Sequence, residues 1–528
     1  MYKNILPYES QRLLVQSEFE SVKKQSDRNR LGQFATPTEL ARDILGYARK
    51  LFSSDEQIIF LDPAFGTGAF YSAFLQYFER SQIAEVHGYE IDQTIYSYAQ
   101  SIWHTTNLNL SNSDFTLQKP PVNNENKANL IICNPPYVRH HHLTKKEKNR
   151  LGGLVKLITG RQLSGLSGLY CYFLCLCHAW MRPDAIAGWL IPSEFMDVNY
   201  GREIKTYLTH EVSLLHIHRF NPNEVQFSDA LVSSVIVWFK NTRPDKGHIV
   251  QFSYGGSLTE PTQSMAMTID NLRKKDKWSS ITEASTINIS KNSLHLSELF
   301  VINRGIATGA NKFFILSQEE IAKYDLPSQM FVPILPSARY LESDEIFSDE
   351  QGIPKIEKRY FLLKCHMPES QIKEIYPKLW DYLQKGIEEG INKKYIASHR
   401  SPWYSQEERT ASQFLCTYIG REMNGSRKNP FRFILNQSNA ICTNVYLMMY
   451  PKPNLARAIK NDPSFTRQIW VALKSIQPQI LMRGGRVYGG GMYKLEPKEL
   501  LNIPIELPQN IIVLFQNIQQ ELILDETT

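Results

Sequence analysis

"NLIICNPPYVRHHHL", residues 129–143, runs an apolar strand straight into Asn134-Pro135-Pro136-Tyr137 and then into a basic cluster. Consecutive prolines remove two backbone donors and fix two φ angles, so the chain leaves its strand in one rigid, extended shape. A stiff loop would need nothing more. Placed at the carboxyl edge of a parallel sheet, where open α/β folds hold their ligands, the same four residues would instead present an amide and an aromatic ring to a substrate. The surrounding sequence decides between the two.

Working outward, residues 35 to 240 alternate short β-rich runs with helical segments. This rhythm predicts an α/β fold, a parallel sheet with helices on both faces. The candidate strands are 58–63, 85–92, 129–136, 187–193, 214–220 and 232–240, and "GAFYSAFLQYFERS" and "LYCYFLCLCHAWM" have helical spacing. After "NTRPDKG" (241–247) the alternation gives way to short strands, polar loops and Pro-rich turns, which places a domain boundary near residue 245. A chain of 528 residues needs more than one domain. The organisation expected is a helical extension over 1–30, a domain over 31–245 and a mixed α+β domain over 246–528.

Composition narrows the classes. Hydrophobic residues make up 42% and charged residues 21%, as in a globular protein with full cores. The net charge of +6 permits an anionic partner without requiring one. No apolar stretch approaches about 18 residues and the amino terminus lacks a signal peptide's apolar segment, so no membrane partner and a cytoplasmic location are expected. The seven cysteines form no CxxC pair, which fits reduced thiols. Cys171, Cys175 and His178 share one helical face, but their apolar run reads as core, and no metal is expected.

"FLDPAFGTGAF" (60–70) is a strand that ends on Asp62 and enters a Gly66-x-Gly68 turn before a helix. Glycines there let backbone amides approach a ligand, and a carboxylate about 20 positions on can bind a ribose hydroxyl pair. Glu90 fills that place. The combination points to an adenosine-type cofactor without separating nicotinamide, flavin and S-adenosylmethionine. Asn134 and the neighbouring carbonyl of Pro135 separate them, because two rigid acceptors can take both hydrogens of a planar exocyclic amine and turn its lone pair toward an electrophilic methyl group. Tyr137 offers a flat face to a heteroaromatic ring.

Together these motifs resemble the gamma-class N6-adenine DNA methyltransferases of bacterial restriction–modification systems, the TaqI-like family, over about residues 30 to 240. The resemblance implies a Rossmann-like methyltransferase domain followed by a DNA-recognition domain. "GQFATP" (32–37) looks like the family's first cofactor motif, with Thr36 at the methionine end. "DPAFGTGAF" looks like its glycine motif, which implies roles in holding the cofactor for Asp62, Ala64, Gly66 and Gly68. Glu90 with Ile91 would meet the ribose, and "SDF" (113–115) would bring Asp114 and Phe115 to the adenine. In this likeness Asn134, Pro135, Pro136 and Tyr137 are the catalytic motif. "FSDALVSSVIVWF" (227–239) would supply Phe227 opposite Tyr137 around a flipped base, with Phe220 as a competitor. The implied cofactor is S-adenosyl-L-methionine. The implied partners are double-stranded DNA and a cognate restriction endonuclease acting on the same site.

Weaker likenesses to recognition-domain segments occur at 304–314 and 483–500, and "RHHH" (139–142) could meet phosphate or simply be solvated. Two other readings stay open. Some methyltransferases of protein glutamine or RNA also use Asn-Pro-Pro-Tyr, but the glutamine enzymes end with the catalytic domain, whereas here the chain continues with a further half. A DNA-binding specificity subunit without catalysis would have no use for an intact set of chemical residues.

Overall fold

A computed structural model of the chain describes residues 5–23, 28, 31–221, 233–281, 293–421, 429–488 and 492–512. It divides into two compact units, Met1–Ser285 with Val487–Gly491, and Thr286–Arg486 with Met492–Thr528. The first unit continues past the loop near residue 245, where the sequence rhythm stops, through two further strands.

The first unit is built on nine strands: β1 (Ile58–Asp62), β2 (Ile83–Glu90), β3 (Leu108–Asn112), β4 (Ala128–Cys133), β5 (Met181–Pro192), β6 (Ser213–Arg219), β7 (Ser234–Lys240), β8 (Ile249–Gly256) and β9 (Pro261–Thr268). They form one sheet in the order β3-β2-β1-β4-β5-β7-β6-β8-β9. The first five in that order are parallel, but β7 runs antiparallel to both its neighbours and β9 antiparallel to β8. The sheet is therefore mixed where a parallel one was expected. The reason is physical: in β7 every residue before Lys240 is buried, and a run covered on both faces reads the same in either direction.

Burial on both faces follows residue by residue. Ile58, Phe60, Leu130 and Ile132 enter one core cluster, while Ile59, Leu61, Ile131 and Cys133 enter the other. This is the period-2 alternation of a strand with apolar layers above and below. The first layer is closed by α2 (Thr38–Arg49), α3 (Ala69–Tyr77) and α4 (Gln93–Trp103), and the second by α5 (Lys145–Thr159), α6 (Leu169–Leu176) and α7 (Arg202–His210). Cys171 and Cys175 are buried in the second layer, and the His178 ring meets the Tyr207 hydroxyl at 3.0 Å.

Helix α1 (Leu6–Val22) packs on α3 and α4, with Tyr8 stacked on Trp103 at 5.6 Å. It buries charge, not its leucines: Leu6, Leu13 and Leu14 are exposed, whereas Arg12 is fully buried. All five guanidinium protons of Arg12 find acceptors. Nε and Nη2 donate to Glu9 at 2.8 and 2.6 Å, Nη2 also to Thr38 Oγ1, and Nη1 to Gln16 Oε1 and Thr67 Oγ1. Burial pushes the Glu9 carboxyl up, but its bonds from Arg12 and Thr38 outweigh that and hold it below the ordinary value. The network ties the amino-terminal helix to the glycine turn at Thr67.

The second unit contains a five-stranded sheet of β10 (Phe300–Arg304), β11 (Glu345–Ile346), β12 (Phe414–Thr417), β13 (Phe433–Asn436) and β14 (Tyr446–Pro451), in the order β10-β14-β12-β13-β11. A four-stranded sheet lies beside it in the same unit, with helices α8 (Pro377–Glu388) and α9 (Ser464–Lys474). Residues 422–428, and 489–491 within the 483–500 segment noted in the sequence, lie outside the described residues. No described helix is long and apolar enough to cross a membrane.

Replacing Arg12 with methionine leaves the Glu9 carboxylate buried without its cation, a loss expected to cost α1 about 3–5 kcal/mol of local stability. Hydrogen exchange over residues 6–22 should lose protection by about two orders of magnitude, and adding Glu9→Leu should recover most of it. Unchanged protection in the single variant would contradict the assigned role.

Candidate functional site

Because β3, β2, β1 and β4 are adjacent and parallel, they end at one edge of the sheet. Their ends deliver Asp114, Glu90, Asp62 and Asn134 to a single cavity of about 690 Å3. Of the residues singled out from sequence, Thr36, Asp62, Ala64, Gly66, Glu90, Ile91, Asp114, Phe115, Asn134 and Pro136 line it. Gly68, Pro135 and Tyr137 stand behind the wall, and Phe227 lies outside the described residues. Phe220, its competitor, is buried against His218 at the end of β6, 4.7 Å between ring centres.

The glycine turn needs its glycines for two different reasons. Gly66 has φ +57° and nothing within 4 Å of where a Cβ would stand, so its backbone is open to a ligand. Gly68 has φ +90°, and a Cβ there would sit 2.6 Å from the Trp103 indole nitrogen, which donates to the Thr67 carbonyl at 3.0 Å. The turn is held from the other side by Glu90, whose Oε2 accepts from the Gly66 N–H at 2.9 Å and whose Oε1 accepts from the Asp92 N–H at 2.8 Å. Asp92 then caps α4 and pairs with Lys23 at 3.0 Å.

Asp62 and Glu90 make no ion pair among the described residues. Burial pushes Asp62 up to about 8, with Glu90 adding to the effect and one N–H bond from Ala64 opposing it. Burial also raises Glu90, against the N–H groups of Asp92 and Gly66. Such a pair suits a ligand that carries hydroxyl donors and positive charge.

Asn134, at the end of β4, lines the same cavity. Its Nδ2 donates to the Phe34 carbonyl at 2.9 Å and to Thr36 Oγ1 at 3.1 Å. A carbonyl can only accept, so the amide cannot be turned over without setting two oxygens against each other. The other end, Oδ1, is buried and has no hydrogen-bond partner among the described residues. A buried acceptor left unpaired costs about 1–3 kcal/mol unless a ligand satisfies it.

The two loops that frame this amide are in backbone contact. The Tyr137 N–H donates to the Gly32 carbonyl at 3.2 Å, and a Cβ on Gly32, whose φ is +67°, would lie 2.3 Å from the Tyr137 nitrogen. Tyr137 is only 7% exposed, its hydroxyl donates to the Leu190 carbonyl at 3.0 Å, and the Phe34 ring lies 5.5 Å away at 42°. Phe34, Thr116 and Arg150, together with Gln16 and Phe19 of α1, also line the cavity and were not singled out from sequence. Phe34 sits within "GQFATP", where the reading fell on Thr36. Arg150 meets Thr116 from 34 residues away, which no local pattern announces.

The Eco57I restriction-modification methylase family matches residues 65–226, and the C-terminal domain of the type II methyltransferase M.Eco57I matches residues 277–526. Type II methyltransferase M.AccI of Acinetobacter calcoaceticus is 27% identical over 493 residues, 90% of this chain and 85% of the relative. M.XamI of Xanthomonas campestris pv. amaranthicola is 25% identical over 502 residues, 91% of this chain and 86% of the relative. Among solved structures, the type IIL restriction-modification enzyme MmeI in complex with DNA aligns with a TM-score of 0.53 at 14% identity, covering 95% of this chain and 67% of that one. A DrdV–DNA complex aligns at 0.50 and 13% identity, covering 97% of this chain and 59% of that one. These structural likenesses speak for the fold alone. Two family matches that run in order along most of the chain, and relatives aligned over most of both chains, join the site to one group: the chain belongs to the methyltransferases of bacterial restriction-modification systems.

Proposed function

We propose that the protein transfers a methyl group from S-adenosylmethionine to the N6 amino group of an adenine at a specific site in duplex DNA. The observation that carries this reading is the buried Asn134 Oδ1, an acceptor of fixed orientation with no partner among the described residues. It is matched to an exocyclic amine, which is rich in donors.

The cavity residues fit the cofactor. A volume of about 690 Å3 is ordinary for a cofactor site. Glu90 would take the ribose hydroxyls while keeping the Gly66 turn in place, Asp114 would meet the adenine, and Asp62 and Thr36 would hold the methionine end. Bound there, S-adenosylmethionine supplies an electrophilic methyl group. The chain's own contribution is positioning: Asn134 Oδ1 and the Pro135 carbonyl accept hydrogen bonds from the two N–H groups of the amine, direct the lone pair, and stabilise the charge that grows on nitrogen until one proton leaves for solvent. No strong base is required, because the amine becomes acidic as it is methylated.

An adenine amine within a duplex is paired and out of reach, so the reading includes extrusion of the base at a cost of a few kcal/mol. Tyr137 would form one wall of its pocket, with Phe227 as the second aromatic. The second unit would read the DNA sequence, a role supported by its match to a methyltransferase C-terminal domain. A cognate restriction endonuclease acting on the same site is the expected partner. Methylation of a protein glutamine or of RNA is less well supported, since the relatives are type II methyltransferases along almost their whole length.

Asn134→Ala should lower turnover about 100-fold or more while leaving S-adenosylmethionine affinity within about threefold, because the lost acceptor serves the target amine alone. Tritium transfer to cognate DNA beside a cofactor titration checks this, and near-normal turnover would remove Asn134 from the chemistry.

A second expectation concerns protons. With Asp62 pushed up to about 8 in the free protein, it is mostly protonated at pH 7, and a cationic ligand favours the ionised form. Cofactor binding at pH 7 should therefore release protons, and affinity should rise as pH approaches 8. Calorimetry in buffers of different ionisation enthalpy should show Asp62→Asn releasing about one proton fewer than the native protein. Equal proton release would mean that Asp62 is not linked to the ligand.

A further inference from the structure

The catalytic loop runs into α5, whose first turn is closed by a capping box between Thr144 and Glu147. From the next turn Arg150 reaches the segment that carries Asp114. Its Nη1 donates to the Thr116 carbonyl and its Nη2 to Thr116 Oγ1, both at 2.9 Å. A guanidinium has no acceptor, so the Thr116 hydroxyl must accept from it and send its own proton elsewhere. That proton goes to Asp114 Oδ1 at 2.8 Å, and the Thr116 N–H donates to the same oxygen, also at 2.8 Å. Oδ1 is thus held twice, while no hydrogen bond reaches Asp114 Oδ2 among the described residues. Asp114, Thr116 and Arg150 all line the cavity, and the neighbours Phe115 and Leu151 belong to one buried core cluster. The relay is anchored at both ends.

We propose that Arg150 is a positioning residue for the cofactor's purine: through Thr116 it locks Asp114 with Oδ2 free to accept from an exocyclic amine, so that the site selects a 6-aminopurine over its 6-oxo counterpart. The inference rests on the S-adenosylmethionine reading above. A 6-oxopurine would place an acceptor against the Asp114 carboxylate and leave both unpaired, which is the arrangement that gives hydrogen-bonding sites their discrimination. A carboxylate free to rotate would discriminate less. Because the guanidinium makes both Thr116 bonds in a fixed fork, the restraint acts on orientation rather than on charge.

The test titrates the full chain with S-adenosylhomocysteine and with S-inosylhomocysteine, its 6-oxo analogue. The native protein should prefer the adenosyl compound by about tenfold or more. In Arg150→Met and in Thr116→Val the ratio should fall to within about threefold, through weaker adenosyl binding and unchanged inosyl binding. Asp114→Asn, which leaves Arg150 in place and whose amide can donate as well as accept, should flatten the ratio even if the other variants fold poorly. Equal weakening of both ligands in Arg150→Met would make Arg150 a structural brace and overturn the inference, as would full retention of the preference. A native protein that binds neither compound would instead defeat the cofactor reading itself, and a native protein that binds both equally would overturn the selectivity alone.

Discussion

Four adjacent parallel strands, β3, β2, β1 and β4, end at the same edge, and that shared edge constrains everything the first unit does. Parallel strands leave their terminal groups pointing the same way, so each following loop delivers its first polar residue to the same space. Here those residues are Asp114, Glu90, Asp62 and Asn134. Placing these carboxyls and the amide oxygen in a walled cavity opposes folding, and two apolar layers of the sheet offset it. Asp62 and Glu90 are met by backbone N–H donors, which keep them in place without neutralising them. A site built this way stays poised for a ligand that brings both donors and positive charge.

The geometry of the amide depends on a second contact, between segments about a hundred residues apart in the chain. The loop of Gly32, Phe34 and Thr36 lies against the Asn134–Tyr137 loop, and only a residue without a Cβ allows the approach at Gly32. Phe34 contributes its carbonyl to orient Asn134 and its ring to cover Tyr137. The amino-terminal segment is thereby part of the site, and α1 extends this by tying the glycine turn to Arg12. The cavity and the Asn134 amide share one wall.

Much of this was legible in the sequence because the chemistry is carried by short local patterns. A strand followed by Asn-Pro-Pro-Tyr, a Gly-x-Gly turn and a carboxylate one strand later each announce their place, and their strands appear within a few residues of where the apolar runs put them. Direction was not legible: β7 is buried on both faces, so its composition is silent about which way it runs. The extent of the first unit was hidden for a related reason, since β8 alternates buried and exposed residues and β9, at the sheet edge, buries none, so both resemble the loops and short strands after them. Phe34, Arg12 and the Arg150–Thr116 contact act over long sequence separations, where spacing carries no signal. The same holds for the inverted burial of α1, whose leucines face solvent while its ion pair is enclosed.

The central claim is that the fixed, unpaired Asn134 oxygen serves an adenine amine in DNA. Single-molecule sequencing of modified bases in the DNA of a methylation-deficient host expressing the protein tests it directly. The account predicts N6-methyladenine confined to one short motif and absent when the host expresses Asn134→Ala. Methylation on cytosine N4, or DNA without any new modification beside a methylated protein or RNA, would contradict it.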